Sequence, residues 1–368
     1  MPEATSMKAS QRYREAGVSP VNEENPGFLS LLDTLRRTFG EGPRAPLLDF
    51  GHFANVLPIS ESQAIALSTD GIGTKAIIAQ MLDRYDTIGI DCVAMNANDI
   101  LCVGAEPIAM VDYIAVETAN VRLLSEIAKG LAAGAELANI VVPGGEISQI
   151  EQIIKSERPG YGFDLVGTCI GTVDPRRLIT GATIEPGDVI IGLASSGIHS
   201  NGLTLARKAF FESATLRPDS TLPGLARPLG EELLEPTRIY VPEVMQMLRE
   251  GLDIRGLVHI TSDGFLNLAR VSRGVGFEID YLPDPPAIFS LIQAYGGVTD
   301  SEMFSVYNMG IGFCVVASPD SAERAREIAE TRGYPAWRLG HCVPDERKQV
   351  WIEPRHLVGE KGVFRDDN

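Results

Sequence analysis

Apolar residues recur along the chain with two different periods. Repeats of three or four positions are typical of amphipathic helices. They predict helices over Leu124–Ala135, Val241–Leu248 and Ala322–Ala329. Short apolar runs beside glycine or proline predict buried strands instead. These runs are Ala64–Leu67, Ile140–Val142, Val189–Leu193 and Phe313–Val316. The mixture of the two element types favours an α/β fold.

A turn sequence at Gly171–Pro175 divides the chain into halves of similar length. The 368 residues exceed the size at which one hydrophobic core usually stops growing. We therefore predict an N-terminal domain over residues 1–173 and a C-terminal domain over residues 174–368.

Charge and cysteine content exclude several classes of function. A net charge of −17 opposes nucleic acid as a partner, because a polyanion needs a basic surface. No apolar stretch has membrane-spanning length and no signal-peptide pattern follows Met1, so we expect a cytoplasmic protein without a membrane partner. The five cysteines form no Cys-x-x-Cys pair, which favours reduced thiols in the core.

The segment Ser68–Lys75 places an aspartate, two glycines and a lysine after a predicted strand. Glycines let backbone N–H groups approach a phosphate, lysine adds positive charge, and aspartate can hold a divalent metal. The spacing differs from the P-loop and from the dinucleotide fingerprint. A tight turn with a solvated lysine therefore remains an equally good interpretation of this segment alone.

A second polar pattern lies within residues 91–99. In a helix Asp91, Asn98 and Asp99 would share one face, because positions seven or eight apart are neighbours. Carboxylate and amide oxygens are the ligands that Mg²⁺ prefers. Capping and buried hydrogen bonds explain the same pattern without a metal.

Two further carboxylates stand in or next to predicted strands. Asp112 interrupts an apolar strand, where an unpaired charge would be costly. Glu146 follows a predicted strand and a glycine pair, much as Asp70 follows its own strand. Ligands gather at strand ends in α/β sheets, so we expect Asp70, Asp112 and Glu146 to converge.

The second half contains another small-residue loop, Ser195–Gly202, which leads into a helical pattern. Ser200 or Asn201 is expected to cap that helix, whose free N–H groups would favour a phosphate. His199 lies inside this loop and is the best histidine candidate for a chemical role. His259 precedes a glycine turn, and packing alone explains it equally well.

Together these motifs resemble the phosphoribosylformylglycinamidine cyclo-ligase family, also called aminoimidazole ribonucleotide synthetase. The similar segments occur in the family's order and cover most of the chain. They are Tyr13–Val18, Thr69–Lys75, Asp86–Asp91, Asn98–Asp99, Gly104–Pro107, Gly144–Glu146, Ser195–Gly202, Pro236–Val241 and Asn308–Gly312. An ordered series of this kind is far more specific than any single motif.

The resemblance implies an ATP-dependent ring closure in purine biosynthesis. Formylglycinamidine ribonucleotide would become aminoimidazole ribonucleotide, with release of ADP and phosphate. The terminal phosphoryl group of ATP would activate an amide oxygen, and a substrate nitrogen would then close the ring. The resemblance also implies the cofactors ATP and Mg²⁺. It implies a homodimer in which the N-terminal sheet and its twin form a barrel, beside a C-terminal α/β domain.

The same resemblance implies residue roles. The expected catalytic residues are Lys75, His199 and His259. The expected metal ligands are Asp70, Asp99, Asp112 and Glu146. The expected nucleotide contacts are Thr69, Asp70, Gly71, Gly73, Thr74, Lys75, Asn98, Asp112, Ser200, Asn201 and Gly202.

Four positions depart from the family pattern on the substrate side. Ile147 stands where threonine is usual, Ser262 and Asp263 stand where glycines are usual, and Ser305 stands where arginine is usual. One alternative is therefore a related ATP enzyme with another substrate, since the superfamily includes selenophosphate synthetase, thiamin-monophosphate kinase and a hydrogenase maturation protein. Another alternative is a nucleotide-binding homologue without turnover.

Overall fold

The structure is a computed structural model that describes residues 25–43, 45–271 and 273–367. The motif at Tyr13–Val18 lies outside these residues. The described chain forms a five-stranded sheet followed by an eight-stranded sheet, each with helices packed on it. This arrangement agrees with the predicted α/β fold. The boundary between residues 173 and 174 stays a prediction.

The first sheet is built from β1 to β5, and only β3 and β4 pair in parallel. Its spatial order is β1 (Asn55–Ser60), β2 (Gln63–Gly71), β5 (Phe163–Val173), β3 (Glu106–Val116) and β4 (Gly145–Gln149). Among residues 25–43 and 45–173, four helices belong to this half. They are α1 (Pro26–Arg36), α2 (Lys75–Leu82), α3 (Ile88–Leu101) and α4 (Val121–Ala138).

Helix α3 is the central element of the first half, since nearly all its side chains are buried. It packs against α4 on one side and against β2, β3 and β5 on the other. Helix α4 begins at the cap Asn120, whose side chain accepts hydrogen bonds from the N–H groups of Arg122 and Leu123. Its last turn is closed by Asn139 in the left-handed conformation.

The second sheet is larger and contains the remaining strands. Its spatial order is β13 (Val363–Asp366), β12 (Leu357–Glu360), β11 (Val350–Ile352), β8 (Val275–Ile279), β10 (Ala336–Pro344), β6 (Val189–Ala194), β9 (Ile311–Ala317) and β7 (Ile254–His259). The helices of this half are α5 (Leu203–Arg207), α6 (Leu229–Leu233), α7 (Val241–Arg249), α8 (Ala287–Gly296), α9 (Asp300–Val306) and α10 (Pro319–Glu330). A π-helical segment covers Lys208–Ser213, and a 3₁₀ helix covers Gly264–Val271.

Most predicted elements are confirmed. The three predicted helices correspond to α4, α7 and α10, and three of the four predicted strands correspond to β2, β6 and β9. The strand predicted at Ile140–Val142 is wrong, because Val141 forms only an isolated bridge to Ala109. The regular strand there is β4, which begins at Gly145, the second glycine of the pair.

All five cysteines are free and buried, which confirms the prediction of reduced core thiols. Across the described ranges, no helix combines the length and the apolar character needed to cross a membrane.

Candidate functional site

Asp70, Gly167 and Asp112 lie side by side on three neighbouring strands. Gly167 of β5 is opposite Asp70 in β2 and also opposite Asp112 in β3. Residues opposed in register point to the same face of a sheet, so both carboxylates lie on the face that α3 covers. A Cβ atom on Gly167 would lie 2.7 Å from Asn96 Nδ2 and 2.8 Å from Met110 Sδ. The glycine thus allows α3 to pack tightly between the two acids.

The backbone of Asp70 is fixed by Asn96 of α3. Asn96 Oδ1 accepts from the Asp70 N–H at 2.9 Å, and Asn96 Nδ2 donates to the Asp70 carbonyl at 3.0 Å. Burial and the charge of Asp99 raise the pKa of Asp70 to about 6, although a hydrogen bond from the Gly71 N–H opposes them. Asp70 therefore lies where a nearby cation would be favourable.

Asp112 is also an unneutralised carboxylate. Burial raises its pKa, and no described residue donates a hydrogen bond to its side chain. Glu146 differs, because it is exposed and stands opposite Tyr113, one position beyond the row. Within the part of the chain that the structure describes, no three histidine, cysteine, aspartate or glutamate side chains form a group able to hold a metal.

The expected convergence of Asp70, Asp112 and Glu146 is therefore only half correct. Register aligns Asp70 with Asp112, but the pleat places Glu146 on the alternate face of its strand. Since β4 begins at Gly145, Glu146 is the second residue of a strand and does not follow a strand end.

Asp99, the remaining expected metal ligand, is paired with His259. Asp99 Oδ1 lies 2.9 Å from His259 Nδ1, and Asp99 Oδ2 lies 3.3 Å from Ser68 Oγ. Asn98 Nδ2 lies 3.5 Å from His259 Nε2, and Asn98 Oδ1 accepts from the Tyr240 N–H at 3.0 Å. The predicted polar face of α3 is thus confirmed as a helix face, and it binds the second half of the chain.

Lys75 is not presented to solvent in this structure. Its ammonium group donates to Asp91 Oδ1 at 2.7 Å and to the Glu235 carbonyl at 2.5 Å, and its side chain is fully buried. Thr237 donates to the same Asp91 oxygen through its N–H and its hydroxyl, each at 2.7 Å. Ser200 Oγ also donates to it, at 3.1 Å. Lys75 thus forms a buried ion pair that joins the two halves, and its expected phosphate contact stays a prediction.

The loop Ser195–Gly202 is tightly fixed. His199 has a left-handed φ of 64°, and its Nε2 accepts from the Ser196 N–H at 3.2 Å. Burial lowers the pKa of His199 well below its usual value, so the ring is neutral. Gly202 is required, since a Cβ atom with its φ of 71° would lie 2.2 Å from the Tyr307 ring.

The predicted helix after this loop is confirmed, but its predicted cap is wrong. Gly202 is the N-cap of α5 and provides no side-chain hydrogen bond. Ser200 is instead committed to Asp91 and to the Thr237 hydroxyl, and Asn201 lies half-buried.

The two small-residue loops nevertheless meet. Thr74 Oγ1 lies 3.0 Å from Thr204 Oγ1, which connects the start of α2 to the start of α5. Gly71 lies at the end of β2 and Gly73 is exposed, so both belong to this junction. Thr69 does not belong to this junction. Its side chain lies on the opposite face of the sheet from that of Asp70, and its hydroxyl donates to the Gly167 carbonyl.

The substrate-side departures have clear local structures. Ile147 is 51% exposed on the edge strand β4. Asp263 adopts a φ of 76°, and its carboxylate accepts from Arg270 NH2 at 3.0 Å. Ser305 Oγ donates to the Ser301 carbonyl of its own helix at 2.7 Å. The added charge of Asp263 is therefore neutralised within the site.

Sequence reasoning assigned no role to four residues that hold this arrangement together. Thr237 lies in a quoted motif, but its contact with Asp91 spans 146 positions. Gly167 carries a local signal, since a glycine inside an apolar strand often marks close packing. Asn96 and Arg270 carry no comparable signal.

Two family models match the chain. The N-terminal domain of AIR synthase related protein matches residues 51–173. The C-terminal domain of AIR synthase related protein matches residues 185–353.

Several similar curated proteins bear the name phosphoribosylformylglycinamidine cyclo-ligase. The protein from Methanothermobacter thermautotrophicus is 49% identical over 82% of this chain and 86% of its own length. The protein from Methanobrevibacter smithii is 47% identical over 91% of this chain and 95% of its own length. The Methanocaldococcus jannaschii protein is 43% identical over 96% of this chain and 97% of its own length.

Solved structures share the fold at low identity. A HypE–HypF complex has a TM-score of 0.61 with 19% identity, over 90% of this chain and 98% of that one. AaThiL complexed with AMPPCP and TMP has a TM-score of 0.58 with 15% identity, over 92% and 98%. T. maritima PurL complexed with FGAR has a TM-score of 0.53 with 18% identity, over 83% and 46%.

Proposed function

Because this chain belongs to the AIR synthase-related family, we propose that it closes the imidazole ring of formylglycinamidine ribonucleotide with the use of ATP. The products are aminoimidazole ribonucleotide, ADP and phosphate, so the enzyme is a cyclo-ligase of purine biosynthesis. Its relatives named as cyclo-ligases match most of its length, and this supports the assignment. The resemblance predicted from the ordered motifs and the two-domain α/β fold are both confirmed.

The observation that carries the proposal is the row formed by Asp70 and Asp112. Both carboxylates have a raised pKa, and Asp70 is raised by a neighbouring acid as well as by burial. Oxygen ligands with surplus negative charge fit a hard divalent cation. Mg²⁺ would supply neutralisation of the ATP phosphate oxygens there. Structural neighbours crystallised with AMPPCP or ADP support ATP as the nucleotide.

The remaining polar residues hold the reaction site in shape. Asn96 fixes the backbone at Asp70, which sets the direction of that carboxylate. Asp99 accepts from His259 Nδ1–H and Asn98 donates to His259 Nε2, so the buried ring keeps one tautomer. We propose that His259 orients the Asp99 carboxylate and does not contact the substrate, because its side chain has no exposed surface.

The two loops provide the nucleotide side of the site. The Gly71–Thr74 segment and the Ser195–Gly202 loop meet through Thr74 and Thr204, so their backbone groups border one junction. Lys75 and Asp91 keep the two loops in this relation through Ser200 and Thr237. Accurate positioning of this kind is the main contribution that phosphoryl transfer needs from a protein.

We further propose that the enzyme is a cytoplasmic homodimer. The face of the first sheet opposite α3 exposes apolar side chains, among them Ile108 (43%), Val111 (42%) and Tyr113 (42%). Exposed apolar side chains that lie together on a surface often mark an interaction site. Pairing with the same face of a second copy, as in a barrel, would bury it. The reduced cysteines support the compartment.

The test is an assay of the purified protein with Mg²⁺, ATP and formylglycinamidine ribonucleotide. We expect equal amounts of aminoimidazole ribonucleotide and ADP. Substrate-dependent ADP without the imidazole would instead indicate a relative with another product, and nucleotide binding without turnover would indicate a binding protein. Asp70→Asn should abolish turnover while its circular dichroism spectrum remains unchanged. An active Asp70→Asn variant would remove Asp70 from the metal site.

A further inference from the structure

A second charged cluster lies at the same end of the molecule as Asp70. Strand β1 pairs antiparallel with β2, with Asn55 opposite Leu67, so the segment before β1 leaves the sheet near the end of β2 that carries Asp70. On the other side, β7 ends at His259, and Asp263 follows four residues later. The segment before β1 and the loop after β7 therefore both border the junction of the two halves.

Arg270 connects these two segments. Its NH2 group donates to Asp263 Oδ2 at 3.0 Å, and its guanidinium carbon lies 5.0 Å from the centroid of the Phe53 ring. The remaining N–H groups of Arg270 donate to no described residue, and its side chain is 35% exposed. Asp263 and the aromatic ring thus orient the guanidinium group and leave part of it available.

The backbone conformation of Asp263 is unusual for a residue other than glycine. Its φ of 76° is a left-handed angle that glycine adopts without strain and that most other residues avoid. Aspartate is tolerated there better than most residues. The Asp263 carboxylate holds the guanidinium group of Arg270 in one orientation.

The neighbourhood of Arg270 is positive, in contrast to the protein as a whole. Arg273 is exposed and forms no ion pair with a described residue. Burial lowers the pKa of His52, and the charges of Arg270 and Arg273 lower it further. The N–H groups of Gly51 and Phe53, which lie on the same segment, donate to no described residue. A positive cluster with free donors is unexpected in a chain of net charge −17.

We propose that Arg270, with Arg273 and the backbone donors of Gly51 and Phe53, binds the phosphate monoester of the ribonucleotide substrate. This assignment rests on the proposed function. Phosphates of ATP can be held through a metal at the acidic row of Asp70 and Asp112. A substrate phosphate without a metal needs cations and N–H donors instead, and a guanidinium group is suited to that task. Asp263 is then a positioning residue for Arg270.

The test separates the two substrates kinetically. In Arg270→Ala we expect the KM for formylglycinamidine ribonucleotide to rise at least about tenfold, and the KM for ATP to change less than about twofold. Arg270→Lys keeps the charge and should recover part of the loss. Asp263→Asn keeps the left-handed conformation and should give a smaller rise in the same KM. Arg326→Ala is the matched control, because Arg326 of α10 is ion-paired with Glu323 and is 30% exposed.

Calorimetric titration with ribose 5-phosphate, without ATP, makes the two proposals distinguishable. Binding by the wild type and loss of binding in Arg270→Ala support the phosphate site even if no imidazole product forms. If the wild type makes the product, and Arg270→Ala keeps both the KM and the affinity for ribose 5-phosphate, then the phosphate site is wrong and the proposed function still holds. A rise in the KM for ATP instead would also overturn it, because Arg270 would then serve the nucleotide.

Discussion

Lys75 Nζ lies 2.7 Å from Asp91 Oδ1, and neither side chain has any exposed surface. The pair links the first residue of α2 to α3, and the same Asp91 oxygen accepts from Thr237 in the second half. Burial lowers the pKa of Lys75, and the charge of Asp91 opposes that effect. The lysine of the glycine-containing motif therefore stabilises the junction between the two halves of the chain.

Asp91→Asn should destabilise the protein by about 3 kcal/mol, because it leaves a buried ammonium group without its counter-charge. Urea unfolding followed by circular dichroism measures the change. Asp219→Asn is the control, since Asp219 is 70% exposed in its pair with Arg217, and exposed pairs contribute less than about 1 kcal/mol. Equal stabilities of the two variants would show that Lys75 does not need its partner.

The stability of the metal-free protein should fall as pH rises through about 6, because of Asp70. The pKa of Asp70 is raised in the folded state from 3.8 to about 6, so the folded protein binds this proton more tightly than the unfolded chain. Its contribution is complete below about pH 4 and is lost above about pH 6, an effect of roughly 3 kcal/mol. Asp70→Asn should remove that part of the pH dependence in urea unfolding between about pH 4.5 and 7. Parallel curves for both proteins would contradict the raised pKa.

Gly167→Ala should destabilise the protein by about 1–3 kcal/mol, because its Cβ atom would lie within 3 Å of Asn96 and Met110. Displacement of Asn96 should also raise the KM for ATP, since Asn96 fixes Asp70. Gly144→Ala is the control for stability, as a Cβ atom there has no neighbour within 4 Å. Thermal melts of both variants measure the difference. A Gly167→Ala variant as stable as Gly144→Ala would show that α3 is not tightly packed at this point.

The sequence predicted the polar face of α3 but not what that face binds. Helical spacing alone places Asp91, Asn98 and Asp99 together. Their partners Thr237 and His259 lie 146 and 160 positions later, and no local pattern connects such distant residues. Metal binding was one expectation for these oxygens, whereas the structure gives Asp91 Oδ1 and the Asn98 amide hydrogen-bond partners in the other half.

The wrong strand prediction at residues 140–142 and the unforeseen burial of Lys75 have related causes. The run Ile140–Val142 is apolar, but hydrophobicity does not supply a backbone partner, and only Val141 finds one. Lys75 was expected at a phosphate because lysine adds positive charge beside the glycines, and that contact stays a prediction. Its burial depends on Asp91 and on the Glu235 carbonyl, and neither is adjacent to it in the sequence.

Asp112→Asn should raise the Mg²⁺ concentration needed for half-maximal activity by at least about tenfold, because it removes one of two charged oxygen ligands. The measurement is initial rate against Mg²⁺ concentration at saturating ATP. Glu136→Gln, on the exposed surface of α4, is the control and should leave the curve unchanged. An unchanged curve for Asp112→Asn would exclude Asp112 as a ligand and leave Asp70 alone in the row.

Val111→Lys should convert the protein from a dimer into a monomer. Val111 is 42% exposed on the open face of the first sheet, and a lysine there would have to lose its hydration in a face-to-face dimer. Sedimentation velocity measures the mass, which should fall from twice the chain mass to the chain mass of 39.7 kDa. Val121→Lys is the control, because Val121 is 84% exposed at the start of α4, away from that face. If Val111→Lys stays dimeric, or if Val121→Lys dissociates, the dimer is formed by another surface and the barrel is wrong.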